Sequence, residues 1–222
     1  MSGRDVEIPL GSGGRVSGLL RRPEDAWGLY VLAHGAGAGM HHPLMERHTE
    51  TLAARGLATL RYQFPYMEEG RRRPDWPNKL TATVRSAVEA AGALCPDLPL
   101  FAGGRSMGGR MTSTAAAHEA LPGVRGLAFL AFPLHPPKKP GTERAEHLAD
   151  VEVPMLFLQG TRDKLARLDL LEPVCAKLDR AELVLIDGAD HSFAVLKRSG
   201  RTDQEVQEEV ADSLVAWGRA LL

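Results

Sequence analysis

Short runs of almost wholly apolar residues recur along the chain, each too brief for a helix and lacking polar alternation: Gly28 to Ala33, Leu57 to Tyr62, Pro99 to Gly103, Gly126 to Phe132, Pro154 to Gly160 and Ala181 to Ile186. Such runs predict strands covered on both faces. Between them the apolar spacing changes to three or four. Pro43 to Arg55 carries Met45, Thr49, Leu52 and Ala53 on one face and meets Gly56, a natural stop; Asn78 to Ala93 repeats Leu80, Val84, Val88 and Ala91, with Asn78 as the expected N-cap. Gly109 to Ala117 is compatible with a helix, and Leu168, Leu171, Cys175 and Leu178 follow helical spacing. A last helix is predicted from about Asp203, with a Thr202 and Glu205 capping box and the stripe Val206, Val210, Leu214, Trp217, Leu221. At the N-terminal end, Val6 to Leu10 and Arg15 to Leu20 flank Gly11-Ser12-Gly13-Gly14 and predict a hairpin.

Two stretches break the pattern. Gln63 to Pro77 contains three prolines and Arg71-Arg72-Arg73, which predicts a surface loop; the arginines are read as a solvated face, with steering of an anionic substrate as the alternative. Pro133 to Gly141 contains four prolines, which exclude regular structure, so whatever covers a site there must be small. The alternation of buried strands with amphipathic helices predicts an α/β fold: a mostly parallel central sheet, helices on both faces, right-handed crossovers. Residues 1–222 read as one domain, with neither a repeat nor a linker, although length alone also permits two small ones.

Charge narrows the choice of partner. Lys and Arg number 27 against 28 Asp and Glu, which argues against nucleic acid as a principal partner. The two cysteines, Cys95 and Cys175, make neither a disulfide framework nor a metal cluster, so a reducing cytoplasm is expected. Met1 to Leu10 carries Arg4, Asp5 and Glu7 and lacks the apolar core of a signal peptide, and no stretch approaches the roughly 20 apolar residues of a membrane span.

Chemistry enters at Gly104-Arg105-Ser106-Met107-Gly108, a G-x-S-x-G lying between a strand and a helix. In that context the pentapeptide predicts a nucleophile elbow: a strained turn that lifts the Ser106 hydroxyl off the sheet and aims the Met107 N–H at developing negative charge. The bland alternative is a glycine-rich strand-to-helix turn. His34-Gly35-Ala36-Gly37-Ala38-Gly39 also follows a strand. Acyl transfer needs a second backbone donor on the oxyanion, and Ala36 and Gly37 are the candidates; a phosphate cradle is the rival, but neither G-x-G-x-x-G nor a P-loop is matched. Ser106, Asp163 and His191 each follow a predicted strand and therefore share one edge of the sheet, in the order Ser, Asp, His. Asp187 and Asp190 compete with Asp163, and His34, His41, His42 and His135 with His191; placement after separate strands favours Asp163 and His191. His34 reads as a hydrogen-bonded structural histidine. Arg105 is expected in a structural salt bridge, with contact to a substrate carboxylate as the alternative.

With these motifs, together with Gly160-Thr161-Arg162-Asp163 and Gly188-Ala189-Asp190-His191-Ser192-Phe193, the chain resembles the α/β-hydrolase superfamily over nearly its full length. It is most similar to small members with little lid, such as dienelactone hydrolase. Dienelactone hydrolases carry Cys in the elbow where this chain has Ser106, and lipases carry a lid domain where this chain has the short connection after Phe132. The resemblance implies a serine esterase or thioesterase with Ser106 as nucleophile, Asp163 as acid and His191 as base. It also implies a small ester as substrate, no cofactor or metal, no nucleic-acid or membrane partner, and a monomer or homodimer. Peptidase chemistry uses the same machinery, and a catalytically silent binding or scaffold module is the reading from another class.

Overall fold

A computed structural model describes residues 3–222; Met1 and Ser2, the start of the N-terminal segment read above, lie outside the described residues. Eight strands form one sheet in the order β1-β2-β4-β3-β5-β6-β7-β8. The hairpin strands β1 (Arg4–Pro9) and β2 (Arg15–Arg21) pair antiparallel, and β2 meets β4 (Leu57–Tyr62) antiparallel. From β4 onward through β3 (Gly28–Ala33), β5 (Leu100–Arg105), β6 (Val124–Leu130), β7 (Met155–Gly160) and β8 (Ala181–Ile186) every pairing is parallel. All six residues of β3, of β4 and of β7 are buried, as runs without alternation require. The last strand, β8, is the sheet edge and is only half covered.

Helices pack on both faces. Against one lie α1 (Pro43–Ala53) and α6 (Asp203–Ala220), whose Met45, Leu52, Val206, Val210, Leu214 and Trp217 form one apolar cluster with the strands. Against the other lie α3 (Pro77–Leu94), α4 (Met107–His118) and α5 (Leu168–Cys175), contributing Leu80, Val84, Val88, Met111, Ala115 and Leu171. After β3 the chain moves outward to β4, then returns to β5 on the other side of β3. The connections leaving β3 and β5 therefore diverge, and the crevice between them is where ligands bind in open α/β sheets.

Two local expectations are corrected and one element is added. Gln63 to Pro77 is not wholly loop: α2 (Pro65–Glu68) is a one-turn helix, because Pro65 stands at its first position, where a missing N–H costs nothing, and Phe64 and Tyr66 are driven into the core. Asn78 does not cap α3. The helix begins one residue earlier at Pro77 with Trp76 as N-cap, and Asn78 Oδ1 accepts the Lys79 N–H at 2.9 Å. The 3-10 segment Glu143–Asp150, between β6 and β7, buries Ala145 and Leu148 and was not predicted from the apolar spacing. The Thr202 and Glu205 capping box opens α6 as expected.

Candidate active site

The elbow is built by close backbone approach. Ser106 sits between the last residue of β5 and the first of α4 with φ 51° and ψ −120°, a conformation that costs a side-chain-bearing residue about 1–3 kcal/mol. Neighbouring elements enforce it: the Ser106 N–H donates to Leu130 O of β6 at 3.0 Å, and the Ser106 carbonyl accepts the Arg110 N–H of α4 at 3.1 Å. A Cβ at either Gly104 or Gly108 would stand 2.5 Å from the Ala33 carbonyl oxygen. Only glycine lets β5 and α4 close on β3 here.

Three side chains remote in sequence form one hydrogen-bonded chain. The Ser106 hydroxyl lies 2.9 Å from His191 Nε2, and His191 Nδ1 lies 2.7 Å from Asp163 Oδ2. The Nδ1–H therefore donates to the carboxylate, which leaves Nε2 as the acceptor facing the hydroxyl. The Asp163 side chain is fully buried and held from two further directions, by Gln159 Nε2 at 2.6 Å on Oδ2 and by the Leu165 N–H at 2.7 Å on Oδ1. The competing acids have other duties. Asp190 Oδ1 accepts the Ser192 and Ala194 N–H groups, and Asp187 faces Thr161. Among the rival histidines, His42 caps α1 through Leu44 N–H, and His135 Nε2 accepts the Arg167 N–H.

The glycine-rich loop after β3 lies against the elbow: a Cβ at Gly35 would be 3.7 Å from Ser106 Cβ. Of the two candidate donors, Gly37 is already engaged, its N–H donating to Tyr66 Oη at 3.1 Å. The Ala36 N–H has no acceptor among the described residues, which leaves it as the candidate. The loop is anchored beyond this point as well, by Met40 N–H on Gln63 Oε1 at 2.9 Å and by Arg61 Nη1 on Met40 O at 3.1 Å. Gln63, Tyr66 and Gln159 are supports that the sequence reading missed. Gln159 carried a signal, as the one amide inside the apolar run of β7.

His34 is structural, as expected, and its protonation state is fixed by its partners. Nδ1–H donates to Gly35 O at 2.8 Å and Nε2 accepts the Phe64 N–H at 3.1 Å, so the ring must be neutral. Burial lowers its pKa to about 4, only partly opposed by the bond to Gly35 O. Between about pH 6.5 and 4 the unfolded chain therefore binds a proton that the native one refuses. The stability contributed by this group is complete above pH 6.5 and is lost as pH falls toward 4, by about 3 kcal/mol in all. Urea unfolding at a series of pH values checks this: His34→Gln should flatten the acid decline in that window, and an unchanged slope would refute it.

Arg105 makes no salt bridge among the described residues, contrary to expectation. It is the last residue of β5, and its Nη2 turns onto His191 O at 3.0 Å and Ser192 Oγ at 3.2 Å. Arg71 pairs with Glu69 and Asp75, whereas Arg72 and Arg73 are exposed. A second hydroxyl and imidazole meet elsewhere: Ser113 Oγ lies 2.7 Å from His147 Nε2. This pair shares the hydroxyl-to-imidazole contact with the first but not its surroundings. Ser113 is fully buried within α4, its hydroxyl also reaches Arg110 O at 2.9 Å, and it has neither the elbow nor the free backbone donors around it. It joins α4 to the 3-10 segment.

Comparison with known proteins agrees with the architecture. A putative phosphoribosyl transferase of Mycobacterium tuberculosis is 30% identical over 196 residues, 86% of this chain and 42% of that protein, so the chain spans less than half the length of this curated relative. Among solved structures, the dienelactone hydrolase of Anabaena variabilis superposes with a TM-score of 0.77 at 22% identity, covering 97% of this chain and 96% of the other. A Xanthomonas campestris serine hydrolase without lid gives 0.75 at 18% identity, covering 98% and 95%. Both likenesses are of fold. The sequence itself matches the alpha/beta hydrolase domain over residues 27–219, and with the eight-stranded sheet and no large cap among the described residues this places the chain in the alpha/beta hydrolase family.

Proposed function

We propose that the protein is a serine hydrolase that cleaves small carboxylic esters or thioesters through an acyl-enzyme on Ser106. The observation that carries this is the unbroken chain Ser106 Oγ, His191 Nε2, His191 Nδ1, Asp163 Oδ2, at 2.9 and 2.7 Å, on a strained elbow. His191 takes the Ser106 proton as Oγ attacks the carbonyl carbon, then returns it to the departing alkoxide or thiolate; Asp163 holds the tautomer and supports the transient imidazolium. Met107 and Ala36 N–H groups receive the oxyanion, each worth about 2.7–4 kcal/mol in a site that excludes water. A water deprotonated by His191 releases the acid and restores the hydroxyl.

A small acyl group is favoured by the short irregular connection of residues 133–142 where a lid would stand. The transferase named in the mycobacterial relative describes a protein of which the matched part is 42%, so its name adds no step to this chain. A panel of chromogenic acetates, butyrates, thioesters and a peptide anilide, run on the protein and on Ser106→Ala, tests the proposal. Turnover of short esters or thioesters that vanishes in the variant is expected. Turnover of the anilide alone would make it a peptidase, and no Ser106-dependent turnover at all would favour a silent binding module.

A further inference from the structure

The segment that carries His191 is a loop tied to its neighbours at both ends, where the Arg162 N–H donates to Ala189 O at 2.8 Å, the Gly188 N–H to Thr161 Oγ1 at 2.8 Å and the Val195 N–H to Asp203 Oδ1 at 3.0 Å, while its middle is bonded largely to itself. Asp190 Oδ1 accepts the Ser192 N–H at 2.8 Å and the Ala194 N–H at 3.1 Å, and the Phe193 N–H donates to Asp190 O at 2.9 Å. These bonds shape the loop without fixing it against Ser106. Phe193, two residues after the imidazole, is held at φ 58°, which a residue with a side chain adopts only under restraint. Its ring is fully buried, 6.0 Å from that of His48, and anchors one side of the loop. On the other side, among the described residues, the His191 carbonyl accepts from Arg105 alone.

We infer that Arg105 is a positioning residue: its guanidinium ties the main chain of His191 to the residue next to the nucleophile and, together with the Asp163 carboxylate on Nδ1, sets the distance from imidazole to hydroxyl. This rests on the function proposed above. Arginine suits the task because one planar nitrogen with two N–H groups serves His191 O and Ser192 Oγ together, at 3.0 and 3.2 Å. Room is made for it by Gly35, where a Cβ would stand 3.1 Å from Nη1. The same guanidinium thus touches the elbow, the oxyanion loop and the base loop. Burial lowers the Arg105 pKa, and Asp163 and Asp190 oppose that shift. An arginine so placed stays charged and spends its Nη2 donors on the protein instead of on substrate, while Nε finds no acceptor among the described residues.

The test compares Arg105→Lys and Arg105→Met with the parent by steady-state kinetics and by hydrogen exchange of the 188–194 amides, using the α6 amides as the internal reference for global stability. Arg105→Met should lower kcat about 10- to 100-fold with KM within twofold, since misplacement of a reacting group by about an ångström has that cost. Exchange at Ser192 and Phe193 should quicken about tenfold while α6 is unchanged, and Arg105→Lys should recover part of both effects. Raised KM at parental kcat would make Arg105 a substrate contact and overturn the inference. Parental exchange in Arg105→Met would overturn it too, and that readout stands even if no ester is turned over, so failure here is separable from failure of the proposed function.

Discussion

Replacing Ser106 by alanine is expected to lower kcat for the best ester about 10⁶-fold while leaving the fold intact, because the hydroxyl proposed to make the acyl bond is removed and the turn is not. His191→Ala should cost nearly as much. The two losses should not multiply: once the attack is lost, removing the base that serves it removes little more, and the double variant should match the single ones within about tenfold. Asp163→Asn should fall short of these, by about 10⁴-fold, since the amide keeps the position but offers an N–H where the imidazole N–H requires an acceptor. Steady-state rates on purified variants, each checked for folding by circular dichroism, decide the matter. A Ser106→Ala protein retaining a tenth of the parental kcat would mean that another group attacks the carbonyl.

The second large effect is on stability. Arg61, in β4, is fully buried, and its one carboxylate partner among the described residues is Glu46 of α1, with Nη1 to Oε2 at 2.6 Å. Glu46 Oε1 also meets Arg21 of β2, whose side chain is 11% exposed and which has a second, longer contact to Glu50 at 3.9 Å, so Glu46 is shared between two sheet arginines beneath a helix. Arg61 Nε and Nη2 find no acceptor among the described residues, which leaves the guanidinium dependent on Glu46 and on Met40 O. Glu46→Ala is therefore expected to cost about 3 kcal/mol, the low end of the range for leaving a buried cation uncompensated, because the Glu46 side chain is itself 36% exposed. Exposed pairs such as Arg15 with Glu7, both about 70% exposed, should contribute under 1 kcal/mol by contrast. Urea denaturation of Glu46→Ala, with Glu7→Ala as the comparison, measures both. A loss under 1 kcal/mol at Glu46 would show that Arg61 finds another acceptor.

What could be read from the chain depended on whether a feature is local. The strands of the sheet interior are apolar because both faces are covered, so Leu29 to Ala33 and Met155 to Leu158 declare themselves without an alternating period. The elbow is legible for the same reason: Gly104 and Gly108 are needed wherever β5 and α4 close on the Ala33 carbonyl, and they lie two residues either side of Ser106. Asp163 and His191 could be placed because strand ends lie at one edge of a parallel sheet, which topology alone dictates. The supports were harder to see. Tyr66 engages Gly37 from a segment whose prolines read as loop, and only the packing of Phe64 and Tyr66 under the glycine-rich loop reveals that one of its prolines starts a helix. Arg105 reads as half of a structural salt bridge, because spacing says nothing about a guanidinium that finds a main-chain oxygen and a hydroxyl instead of a carboxylate. Nor could the 3-10 segment of Glu143–Asp150 be read, since its buried residues, Ala145 and Leu148, recur too seldom for a helical stripe.

The central claim is that Ser106 is the hydroxyl activated for attack. Treating the protein with a fluorophosphonate and locating the adduct by peptide mass spectrometry tests it directly, because the molecule holds a second serine against an imidazole at Ser113 and His147. One phosphonyl group per chain on Ser106, absent after His191→Ala and untouched by His147→Ala, is the predicted result; label on Ser113, or a folded protein that takes up none, would contradict it.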